Sequence, residues 1–283
     1  MNAGNGQGIV ILPTYNERGN IRRLILALFE VAPSLDVLVV DDGSPDGTGE
    51  AADSLAKKDS RVRVLHRTGK QGLGQAYVAG FRYALAGPYQ YIVQMDGDFS
   101  HRPEDLPRLL WAAKDADLVI GSRSVPGGRV ENWAFLRQLV SKGGSLYART
   151  LLGLPIRDCT SGFKCFRREV LEAIDLGKLK ADGYGFQVEI NYLCHLAGFH
   201  IAEVPIVFPD RVAGQSKMNW QIGLEAAALV GQLRLQPPSM HFRGIQPVQK
   251  PRGIRPVQKP FNTRERHAVP AVRKSLPLGR LRE

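Results

Sequence analysis

Tyr91-Ile-Val-Gln-Met-Asp-Gly-Asp-Phe-Ser100 is an apolar run that ends in two carboxylates one residue apart. Side chains at positions i and i+2 of a strand share a face, so a strand through this run would place Asp96 and Asp98 side by side. Two adjacent carboxylates repel each other unless a cation lies between them. Mg²⁺ and Mn²⁺ accept such oxygen ligands and complete their shells with water and substrate phosphates. The run therefore predicts a divalent metal that holds a nucleotide diphosphate at the end of a buried strand.

The chain around this run alternates between strand and helix patterns. Apolar residues at helical spacing predict a helix from about Ile21 to Phe29, and Ser44 followed by Pro45 predicts the start of the next helix. Alternation of this kind implies βαβ units, and therefore an α/β fold with a mostly parallel sheet and helices on both faces. The predicted strands are 8–13, 36–41, 62–66, 91–95 and 117–121, and further helices are predicted at 72–86 and 103–113.

Three of the predicted strands end in polar, turn-forming clusters: Pro13-Thr-Tyr-Asn-Glu17, Asp41-Asp42-Gly-Ser-Pro-Asp46 and Asp96-Gly-Asp98. Ligands of open parallel sheets bind at the carboxyl ends of the strands. We therefore expect these clusters to meet at one edge of the sheet, although Asp42 and Asp46 would also suit turns and helix caps.

The second half of the chain departs from simple alternation. A glycine-rich loop at 122–129 precedes a predicted helix at 133–152 and a turn-rich segment at 158–163 that leads into a short strand. A helix at 186–196, a β-like run at 200–208, a basic loop at 209–217 and a last helix at 219–235 follow. We predict a flexible N-terminus at 1–7, one catalytic domain at 8–235 and a separate tail at 236–283.

Composition limits the class of protein. The 283 residues, 43% of them hydrophobic, suffice for one large domain or two small ones. Three cysteines without zinc-finger spacing indicate ordinary thiols in a reducing compartment. Neither a signal-peptide pattern nor an uninterrupted apolar span of about 20 residues is present, so we expect a cytoplasmic location.

The net charge of +11 is concentrated in the tail. Residues 234–283 carry 12 Lys and Arg against two Asp and Glu, and residues 243–251 are repeated with one change at 252–260. A chain so rich in Pro, Gly and basic residues is expected to be disordered. It could be a soluble extension, a nucleic-acid binder or a membrane-surface segment. The tail has few aromatic side chains for base stacking, which counts against a nucleic-acid binder, whereas each Lys or Arg near an anionic lipid surface would contribute about 1 kcal/mol.

Taken together, the motifs resemble the polyprenyl-phosphate (dolichol-phosphate) mannosyltransferases, which are inverting GT-A glycosyltransferases of family 2. The resemblance covers residues 8–235. It is carried by six motifs: Pro13-Thr-Tyr-Asn-Glu17, Val40-Asp-Asp-Gly-Ser-Pro-Asp-Gly-Thr48, Met95-Asp-Gly-Asp-Phe-Ser-His101, Gly121-Ser-Arg123 with Gly127-Gly128, Thr160-Ser-Gly-Phe163 and Arg211-Val-Ala-Gly-Gln-Ser-Lys217.

The resemblance implies transfer of mannose from GDP-mannose to a polyprenyl monophosphate at the cytoplasmic membrane face, with Mg²⁺ or Mn²⁺. It also implies peripheral membrane association, for which a membrane-anchoring protein partner is an open question. The implied nucleotide-sugar residues are Pro13, Tyr15, Glu17, Asp41, Asp42 and Asp96; the metal residues are Asp96, Asp98 and Ser100; the catalytic residues are Asp98, Arg123, Arg211 and Lys217; and the acceptor-phosphate residues are Arg123, Arg137 and Ser141.

Simple chemistry agrees with a phosphate acceptor. A phosphate monoester has a second pKa of about 6 and needs little help from a general base, whereas an acceptor hydroxyl would need one. The alternatives are a UDP-glucose-dependent or other family 2 glycosyltransferase, and a non-catalytic nucleotide-sugar or membrane-binding module. A dinucleotide oxidoreductase is excluded because no G-x-G-x-x-G motif follows the first strand.

Overall fold

A computed structural model describes residues 8–131, 135–179, 181, 183–209 and 220–235, and the predicted flexible N-terminus and basic tail lie outside these ranges. The strands are β1 (Gly8–Thr14), β2 (Asp36–Asp41), β3 (Val62–His66), β4 (Tyr91–Gln94), β5 (Leu118–Ser122), β6 (Arg129–Val130), β7 (Lys164–Arg167), β8 (Ile201–Pro205) and β9 (Val207–Phe208). The helices are α1 (Arg18–Val31), α2 (Thr48–Ala56), α3 (Leu73–Ala86), α4 (Leu106–Ala112), α5 (Phe135–Leu152), α6 (Arg168–Ala173), α7 (Gly183–Leu196) and α8 (Trp220–Leu235), with a 3₁₀ turn at Pro103–Asp105.

The main sheet has seven strands in the order β3-β2-β1-β4-β7-β5-β8. Each neighbouring pair is parallel except those formed by β7, which runs antiparallel to both β4 and β5. The predicted α/β fold with a mostly parallel sheet is therefore confirmed. The predicted β-like run at 200–208 is divided, because β9 leaves the main sheet and pairs with β6 in a separate two-stranded sheet.

Successive side chains along the strands point to opposite faces of the sheet, and each face has its own hydrophobic core. Ile9 and Ile11 of β1 pack with α3, α6 and α7, whereas Val10 and Leu12 pack with α1, α2 and α4. Each fully buried aliphatic side chain contributes about 1.5–3 kcal/mol relative to exposure. Burial on both faces explains why the predicted strands appear as continuous apolar runs.

The helix α3 packs unusually close to the sheet at Gly80. A Cβ atom at this position would lie 2.5 Å from Cγ2 of Ile11, a distance that no side chain can accept. The absence of a side chain lets α3 approach β1, which brings Tyr77 of the same helix under the carboxyl end of β4.

Two local predictions were wrong. The helix α2 begins at Thr48 rather than at Ser44 and Pro45, because Ser44 donates to Asp41 and Thr48 donates to Asp46, so that side-chain hydrogen bonds hold residues 42–47 as a loop. The strand β4 ends at Gln94, and residues 97–100 form a bend in which Phe99 has a φ of 61°.

The three cysteines are free and buried: Cys165 lies in β7, Cys194 in α7 and Cys159 in the turn that precedes β7. Burial raises the pKa of Cys159, Cys165 and Cys194 to about 12. They are therefore unreactive thiols, in agreement with the sequence interpretation.

Candidate active site

The carboxyl ends of β1, β2 and β4 lie side by side at one edge of the sheet, because β1 pairs in parallel with both of the others. The loops at 15–17, 42–47 and 95–102 all begin at this edge. The expectation that the three polar clusters share one edge is confirmed.

Asp41 organises the loop that follows β2. Its Oδ1 accepts hydrogen bonds from Thr14 Oγ1 at 3.0 Å and from Ser44 Oγ at 2.6 Å, and its Oδ2 accepts one from the Ser44 amide at 3.0 Å. The buried carboxylate thus ties the end of β1 to the next loop. Its contact with a nucleoside stays a prediction.

Asp42 is paired with Arg67, a residue that no sequence motif singled out. Arg67 Nη1 lies 2.6 Å from Asp42 Oδ1, and both side chains are almost fully buried. Burial raises the pKa of Asp42, and the charge of Arg67 opposes that rise. Arg67 follows β3, so the pair could be recognised only once β3 was known to lie beside β2.

The remaining residues predicted to contact the nucleoside lie at the end of β1 and in the loop that follows it. Pro13 is buried in β1, and Tyr15 is half-buried with Lys70 Nζ 4.8 Å from the centre of its ring. Glu17 Oε2 accepts a hydrogen bond from Asn20 Nδ2 at 2.8 Å, and the Glu17 amide donates to Thr48 Oγ1 at 2.9 Å. These contacts fix the loop against the start of α2.

The carboxylate loop after β4 is shaped by hydrogen bonds rather than by strand geometry. The Asp96 amide donates to His101 Nδ1 at 3.0 Å, and the Ser100 amide donates to Asp98 Oδ1 at 3.0 Å. Because β4 ends at Gln94, the argument that strand alternation places Asp96 and Asp98 on one face was wrong. Asp98 lies in the bend at 97–100, where the Ser100 amide holds its carboxylate, and the Asp96 backbone is held by His101.

His101 holds this loop in place through a hydrogen bond to its backbone. Its Nδ1 accepts the Asp96 amide, so the ring is in the neutral tautomer with the proton on Nε2. The ring stacks on Phe163 at 5.0 Å between centroids, and burial lowers the pKa of His101. The histidine therefore acts as a structural acceptor for the loop that carries the carboxylates.

Tyr77 of α3 orients Asp96. Its hydroxyl donates to Asp96 Oδ1 at 2.7 Å, and the tyrosine is completely buried. Burial and the charge of Asp96 raise the pKa of Tyr77 well above its ordinary value. The hydroxyl consequently stays protonated and holds one carboxylate oxygen in place.

The carboxylate loop fits a divalent cation with few protein ligands. Ser100 Oγ is buried, with the residue 1% exposed, and has no hydrogen-bond partner among the described residues. An orphaned buried hydroxyl, on a residue whose amide donates to the Asp98 carboxylate, is a suitable oxygen ligand. Within the described ranges, no group of three or more Asp, Glu, His or Cys gathers into a metal cage. The residues therefore fit an ion that completes its shell with water and substrate oxygens.

Arg123 at the end of β5 forms a buried ion pair with Asp158. Its Nη2 and Nε lie 2.7 Å and 2.8 Å from the two carboxylate oxygens, and its amide donates to the same group at 2.9 Å. The side chains are 7% and 1% exposed. Burial alone would raise the pKa of Asp158, but the charge and hydrogen bonds of Arg123 hold it below its ordinary value.

Because of this ion pair, Arg123 is not the free cation that its predicted catalytic role assumes. A guanidinium with two bonds to a carboxylate and a third to Thr160 Oγ1 at 2.8 Å is a fixed, largely compensated cation. Asp158 and Thr160 begin the turn-rich segment predicted at 158–163, but their link to Arg123 could not be inferred without the sheet order. A direct contact of Arg123 with phosphate stays a prediction.

The other predicted basic residues are less completely placed. Ser141 is half-buried on α5. Arg137 lies on the same helix at a position where side chains are not described, and Arg211 and Lys217 lie outside the described residues. Their predicted roles are therefore untested.

A buried polar layer under the site was not predicted. Lys164 of β7 is fully buried and donates to Gln187 Oε1 and to the Gln187 carbonyl oxygen, and Gln94 Nε2 donates to Gln187 Oε1 at 2.8 Å. Burial lowers the pKa of Lys164 to about 7. Gln94 is the last residue of β4, so this layer lies directly beneath the carboxylate loop.

Comparisons with known proteins agree with this fold. The model of glycosyl transferase family 2 matches residues 9–175. An undecaprenyl-phosphate mannosyltransferase of Micrococcus luteus is 50% identical over 222 residues, which cover 78% of this chain and 91% of the relative. A polyprenol monophosphomannose synthase of Mycolicibacterium smegmatis is 47% identical over 239 residues, covering 84% and 90%.

Solved structures show the same fold at lower identity. Glucosyl-3-phosphoglycerate synthase from Mycobacterium tuberculosis, in complex with phosphoglyceric acid, has a TM-score of 0.60 and 20% identity over 83% of this chain and 82% of that one. Its complex with Mn²⁺, UDP-glucose and glycerol 3-phosphate has a TM-score of 0.57 and 21% identity over the same shares of the two chains.

Proposed function

This chain belongs to glycosyl transferase family 2, and we propose that it transfers mannose from GDP-mannose to the phosphate of a polyprenyl monophosphate, with inversion at the anomeric carbon. The observation that carries the proposal is the 50% and 47% identity, over nine-tenths of their length, to two enzymes named for mannose and polyprenyl phosphates. The site contributes the chemistry that such a transfer needs.

The donor diphosphate is assigned to the carboxylate loop. Asp96 and Asp98, with the orphaned hydroxyl of Ser100, would hold Mg²⁺ or Mn²⁺. The chemistry that this ion supplies when bound is Lewis-acid stabilisation of the departing diphosphate. Tyr77 and His101 keep the loop in place, so little reorganisation is needed when the donor binds.

The nucleoside is assigned to the loops after β1 and β2. Tyr15 offers a half-buried ring, and the hydrogen bonds of Asp41 and Glu17 make the two loops a rigid pair. In this proposal Asp41 and Asp42 would border the nucleoside, because carboxylates suit ribose hydroxyls or base amino groups. Guanine is the base that the proposal assigns.

Among the described residues of the site we find no suitable general base. An acceptor that is already ionised, such as a phosphate, does not need one. His101 has one ring nitrogen occupied by the Asp96 amide and is itself buried. A lipid phosphate is already largely ionised at neutral pH, its second pKa being about 6. Positioning and electrostatic stabilisation would then account for most of the catalysis.

We further propose peripheral association with the cytoplasmic face of a membrane. Among the helices described here, none combines the length and hydropathy needed to cross a bilayer. The exposed surface of α5 carries Leu146, Tyr147 and Leu151, and residues 234–283 carry ten of the eleven net positive charges. Apolar anchors together with basic residues suit an anionic lipid surface.

The test is a transfer assay with two donors. Purified protein is incubated with polyprenyl phosphate, Mg²⁺ or Mn²⁺, and radiolabelled GDP-mannose or UDP-glucose in parallel reactions, and label is counted in the organic phase. We expect label from GDP-mannose only, abolished by EDTA, and a β-linked product by NMR. Label from UDP-glucose alone would overturn the donor, and no label from either would overturn the acceptor.

A further inference from the structure

Lys164 is a cation that lies entirely inside the fold. It is the first residue of β7 and is 0% exposed, and its Nζ donates to the Gln187 carbonyl oxygen at 3.3 Å and to Gln187 Oε1. Both acceptors are neutral, and among the described residues no ion pair includes this lysine. Burial of an ammonium group without a carboxylate beside it is costly, so the interior carries a charge that needs a balancing one.

The sheet places Lys164 next to the carboxylate loop. Its register partner in β4 is Gln94, the last residue of that strand, and the loop that carries Asp96 begins directly after it. Gly162, two residues before Lys164, lies close to the same loop, because a Cβ atom on this glycine would be 3.5 Å from Asp96 Oδ2. The start of β7 is therefore beside the Asp96 carboxylate.

A chain of polar side chains connects the buried ammonium group to Asp96. Gln187 Oε1 accepts hydrogen bonds from Lys164 and, at 2.8 Å, from Gln94 Nε2. The Gln94 side-chain amide also lies within hydrogen-bonding reach of the Tyr77 hydroxyl, which donates to Asp96 Oδ1 at 2.7 Å. The first four members of the chain are at most 3% exposed. Hydrogen bonds and charges in such a dry interior act on each other strongly, since little water screens them.

Only one carboxylate near Lys164 is available to balance its charge. The charged and titratable groups that act on it from the neighbouring elements are Cys194 of α7, Asp158 and Cys159 of the turn before β7, and Asp96 of the carboxylate loop. The two thiols are neutral, because burial raises their pKa to about 12. Asp158 is already paired with Arg123 at 2.7 Å. Asp96 remains as the electrostatic partner of the lysine.

A bound divalent cation would take over the balancing role of Lys164. Within the described ranges no salt bridge joins Asp96 to a lysine or an arginine, and His101, whose Nδ1 lies 4.0 Å from Asp96 Oδ2, is neutral. While the carboxylates are empty, a protonated Lys164 offsets part of their negative charge. A metal ion offsets more of it and repels the ammonium group. Since burial lowers the pKa of Lys164 to about 7, the proton can pass to solvent at neutral pH.

We propose that Lys164 is a positioning residue of the active site, which anchors the hydrogen-bond chain that orients Asp96 and supplies a buried positive charge that is exchanged for that of the divalent cation. The proposal rests on the proposed function, because that function assigns the metal to Asp96 and Asp98. A lysine that only satisfied the oxygens of Gln187 would be structural, and its loss would not change how metal binding depends on pH.

The test measures metal affinity and does not depend on turnover. The full chain is titrated with MnCl₂ alone at pH values from 6 to 8, and free Mn²⁺ is followed by electron paramagnetic resonance. Lys164→Met removes the charge at similar size, and Gln94→Leu interrupts the chain but keeps the lysine. Asn191→Leu is the matched control, because it removes a buried amide from the helix of Gln187 whose Nδ2 donates to the Cys159 carbonyl oxygen at 3.0 Å, outside the chain.

We expect the Mn²⁺ affinity of wild type to rise by up to about tenfold from pH 6 to pH 8, because the proton on Lys164 and the metal ion oppose each other. Lys164→Met should bind Mn²⁺ more tightly than wild type at pH 6 and lose this rise. Asn191→Leu should behave as wild type, and Gln94→Leu should bind more weakly at both ends of the range. Lys164→Met that keeps the wild-type rise, or that weakens binding equally at every pH, would overturn the proposal.

A second measurement needs no variant of the lysine. Calorimetric titration of wild type with MnCl₂ in buffers of different ionisation enthalpy gives the number of protons released for each ion bound. With a pKa of about 7, Lys164 should release up to about half a proton for each ion at pH 7. Binding without proton release would overturn the proposal even if Lys164→Met does not fold.

The variant Asp98→Ala separates this proposal from the proposed function. Mn²⁺ binding that persists in Asp98→Ala would refute the metal site, and the role of Lys164 with it. Mn²⁺ binding that is lost in Asp98→Ala but is the same in Lys164→Met and wild type at every pH would refute the role of Lys164 alone.

Discussion

Replacing Tyr77 with phenylalanine removes one hydroxyl group and leaves the buried ring in place. That hydroxyl donates to Asp96 Oδ1 at 2.7 Å, and the ring stacks on Phe81 and Phe186 with centroid distances of 6.1 Å and 6.0 Å. Phenylalanine keeps both ring contacts, so the change isolates the hydrogen bond. If Asp96 binds a divalent cation, its orientation depends on this bond.

The expected loss follows from the burial of the donor. A hydrogen bond to a charged group contributes about 1.5–3 kcal/mol, which corresponds to roughly 10- to 100-fold in metal affinity. The Asp96 side chain is 25% exposed, so water can partly replace the lost donor. We therefore expect the lower part of this range, about tenfold weaker Mn²⁺ binding.

The assay is a titration of Mn²⁺ followed by electron paramagnetic resonance of the free ion, in the presence of GDP. Tyr89→Phe is the matched control, because the Tyr89 hydroxyl donates to Asp36 Oδ2 at the same 2.7 Å but lies at the opposite end of the sheet. The reasoning is refuted if Tyr77→Phe and Tyr89→Phe bind Mn²⁺ as the wild type does, or if both weaken it equally.

Three further outcomes are expected. Asp98→Ala should abolish metal-dependent transfer with little change in circular dichroism, because it removes a predicted metal ligand; near-wild-type turnover would refute that role. Asp158→Ala leaves the buried charge of Arg123 uncompensated, so urea unfolding should show a loss of about 3–5 kcal/mol, and a loss below 1 kcal/mol would contradict the buried pair. Lys164 has a folded pKa of about 7 against an ordinary 10.5, so between these values the unfolded chain binds a proton that the folded chain does not. The unfolding free energy of wild type should therefore rise with pH relative to Lys164→Met, by up to about 1.4 kcal/mol per pH unit, and a pH-independent difference would refute the shift.

The features that the sequence predicted are those with local signals. Apolar runs and helical stripes located β1 to β5 and the helices between them, and turn residues marked the strand ends where the polar clusters meet. Motif order was enough to identify the family, which the match over residues 9–175 confirms. Each of these signals lies within a few residues of the feature it describes.

The features that were missed depend on which strands are neighbours. The pairs Asp42–Arg67 and Arg123–Asp158 join residues that lie 25 and 35 positions apart, and the contact of Tyr77 with Asp96 requires the close packing of α3 on β1. Lys164 was unremarkable in the sequence, because a lysine in a short strand is ordinarily solvated. Sheet order determines all four, and no local pattern encodes it.

The antiparallel strand β7 has a consequence for how the chain is completed during synthesis. β4 and β5 are separated in the finished sheet by β7, which arises more than 40 residues after β5 in the sequence. A nascent chain that has emerged only as far as β5 can pair β1, β2, β3 and β4. The edges of β4 and β5 that face β7 in the finished sheet are then both unpaired, in addition to the edge of β5 that later pairs with β8. Until residues 164–167 leave the ribosome, both edges are open to wrong partners, and the strand that closes them carries the lysine that must be dehydrated as it inserts.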